Sequence, residues 1–268
     1  MGDRGGERVR DEDGPGVKSA CPEARSRDGI LTGKGFMIRH LWIPLGLFIG
    51  LVILFETTDL DLRLSDPFFD FDRGVFFWKD SWWATTLIHS VGRIAIVGLG
   101  ILIGVLLAVS FVQRGLKKLV ELRMPLFFLL LVLCAGPGTI AFLKGIVNRP
   151  YPEHIKRYGG KVPYTRLFER PATKEKRYAG FPAAHAGAGY GLVGLYFVLR
   201  ERRPKLAPWG LVLPLLLGSI FGFGQQVRGM HYASHNVWSA AICWFEALGL
   251  YLAAFRGKLG KERDRALC

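Results

Sequence analysis

Cysteine is scarce and unpatterned in this chain. Its four cysteines, Cys21, Cys134, Cys243 and Cys268, form no CxxC pair and no metal-ligand spacing, which excludes a disulfide framework and a zinc ribbon. Acidic residues are outnumbered, 22 against 36 Lys and Arg, leaving a net charge of +14. In a soluble protein that excess would suggest nucleic acid, but no RNA- or DNA-binding motif accompanies it. The cations stand between apolar stretches instead, as expected of membrane topology and an anionic substrate. An early apolar core with a cleavage site is also missing, so no signal peptide is expected and the first apolar stretch reads as a retained anchor. There is no repeat of solenoid or transporter period. Ionisable residues sit at the ends of apolar stretches rather than within them, which disfavours a small channel or transporter.

What the chain does have is apolar length. Half of its 268 residues are hydrophobic and 13% are aromatic, with a mean hydropathy of +0.23. Six stretches approach the roughly 20 apolar residues a spanning helix needs: 41–55, 94–112, 125–143, 184–199, 208–223 and 237–255. The expectation is an all-α integral membrane bundle of six transmembrane helices. Residues 1–35 read as a disordered cytoplasmic tail, 36–256 as the membrane domain, and 257–268 as a basic cytoplasmic tail. The fourth and fifth stretches are short, and polar residues facing a cavity would extend them.

Arg and Lys crowd the N-terminal tail, the second and fourth connections and the C-terminal tail, whereas residues 57–80 carry six aspartates. The positive-inside rule therefore places both termini in the cytoplasm. The third connection, 144–180, is basic yet falls on the outer face. Its cations are expected to serve an anion rather than topology. Residues 60–83 mix aromatics with acids and read as an interfacial element in an aromatic belt.

Three short motifs lie at the edges of apolar stretches on that outer face. They are Lys144-Gly-Ile-Val-Asn-Arg149-Pro150, Phe181-Pro182-Ala183-Ala184-His185, and Gln225-Gln-Val-Arg228-Gly-Met-His231-Tyr-Ala-Ser-His235. His185 opens a span, where free backbone N–H groups attract anions. His231 follows Arg228 by three residues, on one side of a helical turn, and an imidazole can attack phosphorus to form a phosphohistidine. His235, four residues on, is placed to orient His231. A His-x3-His pair can also bind metal, but no Asp or Glu stands beside it as in a zinc protease, so no metal and no cofactor are expected. Lys144 and Arg149 are long cations that would snorkel to the headgroups in any case. Beside a transferring phosphoryl group they would also meet its charge.

The order and setting of these motifs resemble the type 2 phosphatidic acid phosphatase (PAP2) superfamily, in a divergent bacterial branch similar to lipid A phosphatases. That family carries Lys-x6-Arg-Pro, Pro-Ser-Gly-His and Ser-Arg-x5-His-x3-Asp. The resemblance implies a PAP2-like core and a metal-independent reaction. It makes His231 the nucleophile, and His185 the group that protonates the leaving oxygen and then activates water. Phosphate would be held by Lys144, Arg149, Arg228 and the backbone at Ala183 and Ala184, with His235 orienting. The chain departs from the pattern at several points. Six residues beyond Lys144 stand Tyr151 and Pro152, with Arg149 two positions early. Ala183 and Ala184 replace the serine and glycine, Gly224 and Gln225 replace the Ser-Arg pair, and His235 takes the aspartate position.

These readings predict a membrane phosphatase for an anionic lipid phosphomonoester or diphosphate, at the periplasmic face of a bacterial inner membrane, with the bilayer and the lipid as its partners and no nucleic acid. A phosphotransferase would use the same residues. A non-catalytic lipid-phosphate binder would explain the lost Ser, Gly and Asp but not the retention of two histidines beside Lys144. The sequence does not specify the oligomeric state.

Overall fold

The structure is a computed structural model that describes residues 33–170 and 178–260. Most of both expected tails, and the loop cations Lys174, Lys176 and Arg177, lie outside the described residues. Among the described residues five helices are long and apolar enough to cross a membrane: α1 (Lys34–Thr57), α3 (Trp83–Val112), α5 (Arg123–Ile146), α8 (Pro204–Gln226) and α9 (Ala233–Phe255). Between them lie the short helices α2 (Leu60–Ser65), α4 (Lys117–Val120), α6 (Ala184–Tyr190) and α7 (Gly194–Arg202). The one sheet among the described residues is a hairpin, β1 (Phe69–Asp70) against β2 (Val75–Phe76).

The expected fourth span differs from the other five. It is α6 and α7 joined by a 3₁₀ turn, Gly191–Val193, and it packs against α5, α8 and α9. Its neighbours shield it, so it needs small residues rather than a continuous apolar surface. Gly189 and Gly218 show the reason: a Cβ on Gly189 would lie 2.5 Å from the Gly218 nitrogen, so the two backbones touch. Around this segment Phe128, Val132, Ile140, Phe197, Ala247 and Tyr251 form the main core. By contrast α1 and α3 leave most of their apolar side chains exposed, as helices facing lipid do.

The second long helix begins earlier than its apolar run predicts. It opens with a π-helical segment, Trp83–Val91, so His89 and Arg93 lie on α3 rather than in the loop before it. The segment 60–83, expected to lie in the leaflet, is largely a folded cap. Phe69 and Phe76 are buried against Ile155, Tyr158, Val162 and Tyr178, while Phe71, Phe77, Trp78 and Trp82 remain exposed. The acids of this cap meet the basic third connection directly. Arg157 pairs with Asp66 at 2.6 Å and Arg166 with Asp59 at 2.8 Å, and in the opposite sense Lys79 of the cap meets Glu153 of the connection at 2.7 Å. Several cations that the sequence reserves for an anionic substrate thus hold the cap to the loop.

Up-and-down connectivity brings the C-terminal ends of α1, α5 and α8 together with the N-terminal ends of α3, α6 and α9. All three motifs lie at that end of the bundle.

Candidate active site

His231 is the centre of the constellation. α8 ends at Gln226 and the chain turns at Gly229, whose φ of +74° favours glycine and whose Cβ position is taken by the Phe76 ring. Arg228 and His231 therefore lie in this turn and not on one helical face, contrary to the spacing argument. His231 is 4% exposed. Its Nδ1 lies 3.4 Å from Nδ1 of His235, and the Gly180 backbone is a hydrogen-bond partner of both rings. With Nδ1 turned to His235, Nε2 is the nitrogen on the opposite edge of the ring. Burial first, and then the charges of Lys144, His235 and His185, hold His231 well below the ordinary histidine range. Burial thus favours the neutral form of this ring, the form in which an imidazole can act as a nucleophile.

His235 stands in the first turn of α9, after the cap residue Tyr232. Its ring is met edge-on by Phe181 and Tyr232, at 5.3 and 5.2 Å between centroids. Ser239 donates to the His235 carbonyl at 2.9 Å and to the Ala183 carbonyl at 3.0 Å, locking α9 against the start of α6.

On one flank of His231 the basic groups gather. Lys144, in the last turn of α5, donates to the Pro182 carbonyl at 3.3 Å and stands 5.7 Å from the centre of the Tyr151 ring. Tyr151, at the position of the family's arginine, packs 5.8 Å from His231. His185 lies in the first turn of α6, just after Ala183 and Ala184, where the helix leaves backbone N–H groups unpaired. The His185 ring stacks on His89 at 4.0 Å, and its Nε2 is buried without a hydrogen-bond partner. It feels the charges of His89, Lys144, Arg93 and Arg228. Arg228 donates to the Lys79 carbonyl at 3.0 Å and to Gln225 Oε1 at 3.2 Å. Gln225 thus occupies the family's arginine position and steers the arginine three residues on.

Arg149 lies on the other flank. Its guanidinium donates to Thr165 Oγ1 and to the Leu167 and Glu169 carbonyls, so it braces the loop 165–169. The expectation for Arg149 is a phosphate contact; here its guanidinium is turned onto loop carbonyls instead. Arg149 shares with His235, Asp61, Glu56 and Tyr232 a small polar cavity of about 20 Å³, the size of one water molecule. Asp61 accepts from Ser234 there. Among the described residues no three His, Cys, Asp or Glu are grouped to hold a metal ion.

Sequence reasoning missed His89, Arg93, Tyr151 and Asp61. His89 and Arg93 are four residues apart, a helical spacing legible only once α3 is extended to Trp83. Asp61 was one aspartate of six in an acidic loop, and nothing local marked it.

A buried imidazole, a second imidazole and converging cations at a helix N-terminus form an arrangement that can hold a phosphate, attack it and supply a proton. The family model of the PAP2 superfamily matches residues 125–258, half of the chain, and the match spans Lys144, His185, His231 and His235. No curated protein and no solved structure matches the chain significantly. The chain belongs to the PAP2 superfamily, and that membership, with its five long apolar helices, indicates a membrane protein of phosphatase-type activity.

Proposed function

We propose, from that membership, that the protein is a membrane lipid phosphate phosphatase working through a phosphohistidine on His231. The observation that carries the reading is the burial of His231 within the electrostatic reach of Lys144 and His185. A phosphomonoester or diphosphate lipid enters with its phosphoryl oxygens toward Lys144, Arg228 and the N–H groups at Ala183 and Ala184. The Nε2 lone pair of His231 forms a bond to phosphorus as the bond to the leaving oxygen breaks. His185, which takes up a proton when the anionic phosphate binds beside it, gives that proton to the leaving oxygen. Water then attacks phosphorus, His185 takes one of its protons, the N–P bond breaks, and phosphate departs with His231 neutral again. His235 keeps the His231 ring in its reactive tautomer. Arg149 shapes the loop beside the site rather than binding phosphate.

The six-span topology belongs to this reading, with the α6–α7 segment as a span lined by protein instead of lipid. Cation-rich connections at the opposite end support cytoplasmic termini and a periplasmic site in a bacterial inner membrane. The sequence motifs' resemblance to lipid A phosphatases is the reason a phosphorylated glycolipid is the first substrate to try. The test is phosphate release by detergent-purified protein in EDTA, against lipid A, undecaprenyl diphosphate, phosphatidic acid and phosphatidylglycerophosphate, beside His231→Ala. Release that survives EDTA and is lost in the variant is expected. Release that needs a divalent cation, or that persists in the variant, overturns the mechanism.

A further inference from the structure

We propose that Asp61 is the positioning carboxylate of this site, reaching from the outer cap to fix the turn that carries His231 and His235. The inference rests on the phosphohistidine reading above. Asp61 lies on α2, far from the motifs in sequence, yet it is 4% exposed and each of its oxygens accepts a hydrogen bond from Ser234, with Tyr164 a further partner. Oδ1 accepts the Ser234 N–H at 2.9 Å and Oδ2 accepts the Ser234 hydroxyl at 2.5 Å. Ser234 lies between His231 and His235, in the first turn of α9. A carboxylate on that N–H serves as a cap supplied in trans. Because it takes backbone and side chain together, it also sets how the turn presents its two flanking imidazoles.

The location of the charge matters as well. Asp61 and His235 line the same small polar cavity, whose lining does not include Lys144. As the N–P bond forms, positive charge develops on the His231 imidazole, and His235 is at its Nδ1. A fixed negative charge behind that pair lowers the energy of this state, as the third member of a nucleophile–base–carboxylate set does.

The neighbouring acids of the cap behave differently. Asp66 and Asp59 hold arginines at the surface, and their value is adhesion. Asp61 is buried, and burial raises its carboxyl to about 6, against the hydrogen bonds from Ser234 and Tyr164 and with the help of Glu56. A folded-state value above the unfolded one means that stability is greatest below the unfolded value and is lost as pH rises through about 6. The ionised Asp61 therefore costs the fold stability at neutral pH, which is expected of a group kept for function.

The experiment compares wild type, Asp61→Asn and Ser234→Ala in the phosphate-release assay across pH, together with thermal unfolding and the rate at which diethyl pyrocarbonate modifies His231. Asn keeps one acceptor for the Ser234 N–H but removes the charge. Asp61→Asn is expected to lower kcat about 100-fold, with KM within about threefold and an unchanged or higher unfolding temperature at pH 8. The acid limb near pH 6 should move to lower pH, where His231 itself takes a proton. The groups facing Asp61 that share this titration range or field are Glu56, Arg149, Tyr164, Arg166, Tyr232 and His235, and all are retained in the variant. Ser234→Ala should give a smaller loss and keep the limb. A fall in kcat that tracks a fall in unfolding temperature, with the acid limb in place, would reduce Asp61 to a structural cap and overturn the proposal. So would full activity. If wild type releases no phosphate from any lipid, the phosphatase reading fails. The modification rate then decides alone: faster labelling of His231 in Asp61→Asn supports positioning, and an equal rate overturns it.

Discussion

The two flanks of His231 are built from similar residues used in opposite ways. On the first flank Lys144, His185, His89, Arg93 and Arg228 act on one another through charge, and His185 Nε2 is left without a partner. On the second flank the Arg149 Nη2 group is turned onto the Leu167 and Glu169 carbonyls and Asp61 onto Ser234. Cations whose charge falls on His185 mark where an anion would bind, and a cation turned onto loop carbonyls marks where the scaffold is held. Net positive charge alone, abundant throughout the outer loops, does not separate the two.

Substitutions on each flank would break that contrast if it is misassigned. The largest effect is expected at the centre: His231→Ala should lower kcat about 10³-fold or more, read as phosphate release, with unfolding temperature preserved. Next comes His185→Ala, costing about 10²- to 10⁴-fold as a lost general acid, with less loss on substrates whose leaving group needs no proton. Arg228→Ala should raise KM and lower kcat/KM more than Arg149→Lys does. Arg149→Lys should instead lose about 1–3 kcal/mol of stability, because buried carbonyls lose their donors. A denaturation curve beside the kinetics reads both, and the reverse pattern would exchange the roles of the two flanks. At the small end, Arg157→Ala breaks a half-exposed pair with Asp66 and should change stability by less than about 1 kcal/mol and activity by less than about twofold.

The pH dependence sharpens the same comparison. His231 is held well below 6.5 by burial, so the fold keeps its stability above the ordinary histidine value and loses it as pH falls through the depressed one. Asp61 acts in the opposite sense, its contribution falling as pH rises through about 6. Asp61→Asn should therefore flatten the neutral side of a stability–pH curve and leave the acid side in place. A variant curve parallel to wild type would show that Asp61 is not buried as a charge.

Much of this was legible in the chain. The long apolar runs announce α1, α5, α8 and α9, and the motif spacings bring His185, His231 and His235 to one end of the bundle. Other parts were hidden for physical reasons. The α6–α7 segment is shielded by protein, so its composition is Gly- and Ala-rich rather than lipid-like. The true start of α3 is masked by Thr85, His89, Ser90 and Arg93, polar residues that face the site or the interface. Arg149 was expected on the phosphate, but whether a guanidinium meets a carbonyl or a ligand depends on a loop folded 16–20 residues away. Asp61 meets Ser234 across a separation of 173 residues, a contact that no local pattern encodes.

The most direct test of the central claim is to trap the intermediate. His185→Ala would be mixed with an aryl phosphate, whose leaving group departs without a proton, quenched at alkaline pH where phosphohistidine survives, and mapped by peptide mass spectrometry. The account expects a burst of the phenol and a phosphoryl group on His231, absent when His231 is also replaced. Phosphate on any other residue, or steady turnover with an unmodified His231, would contradict it.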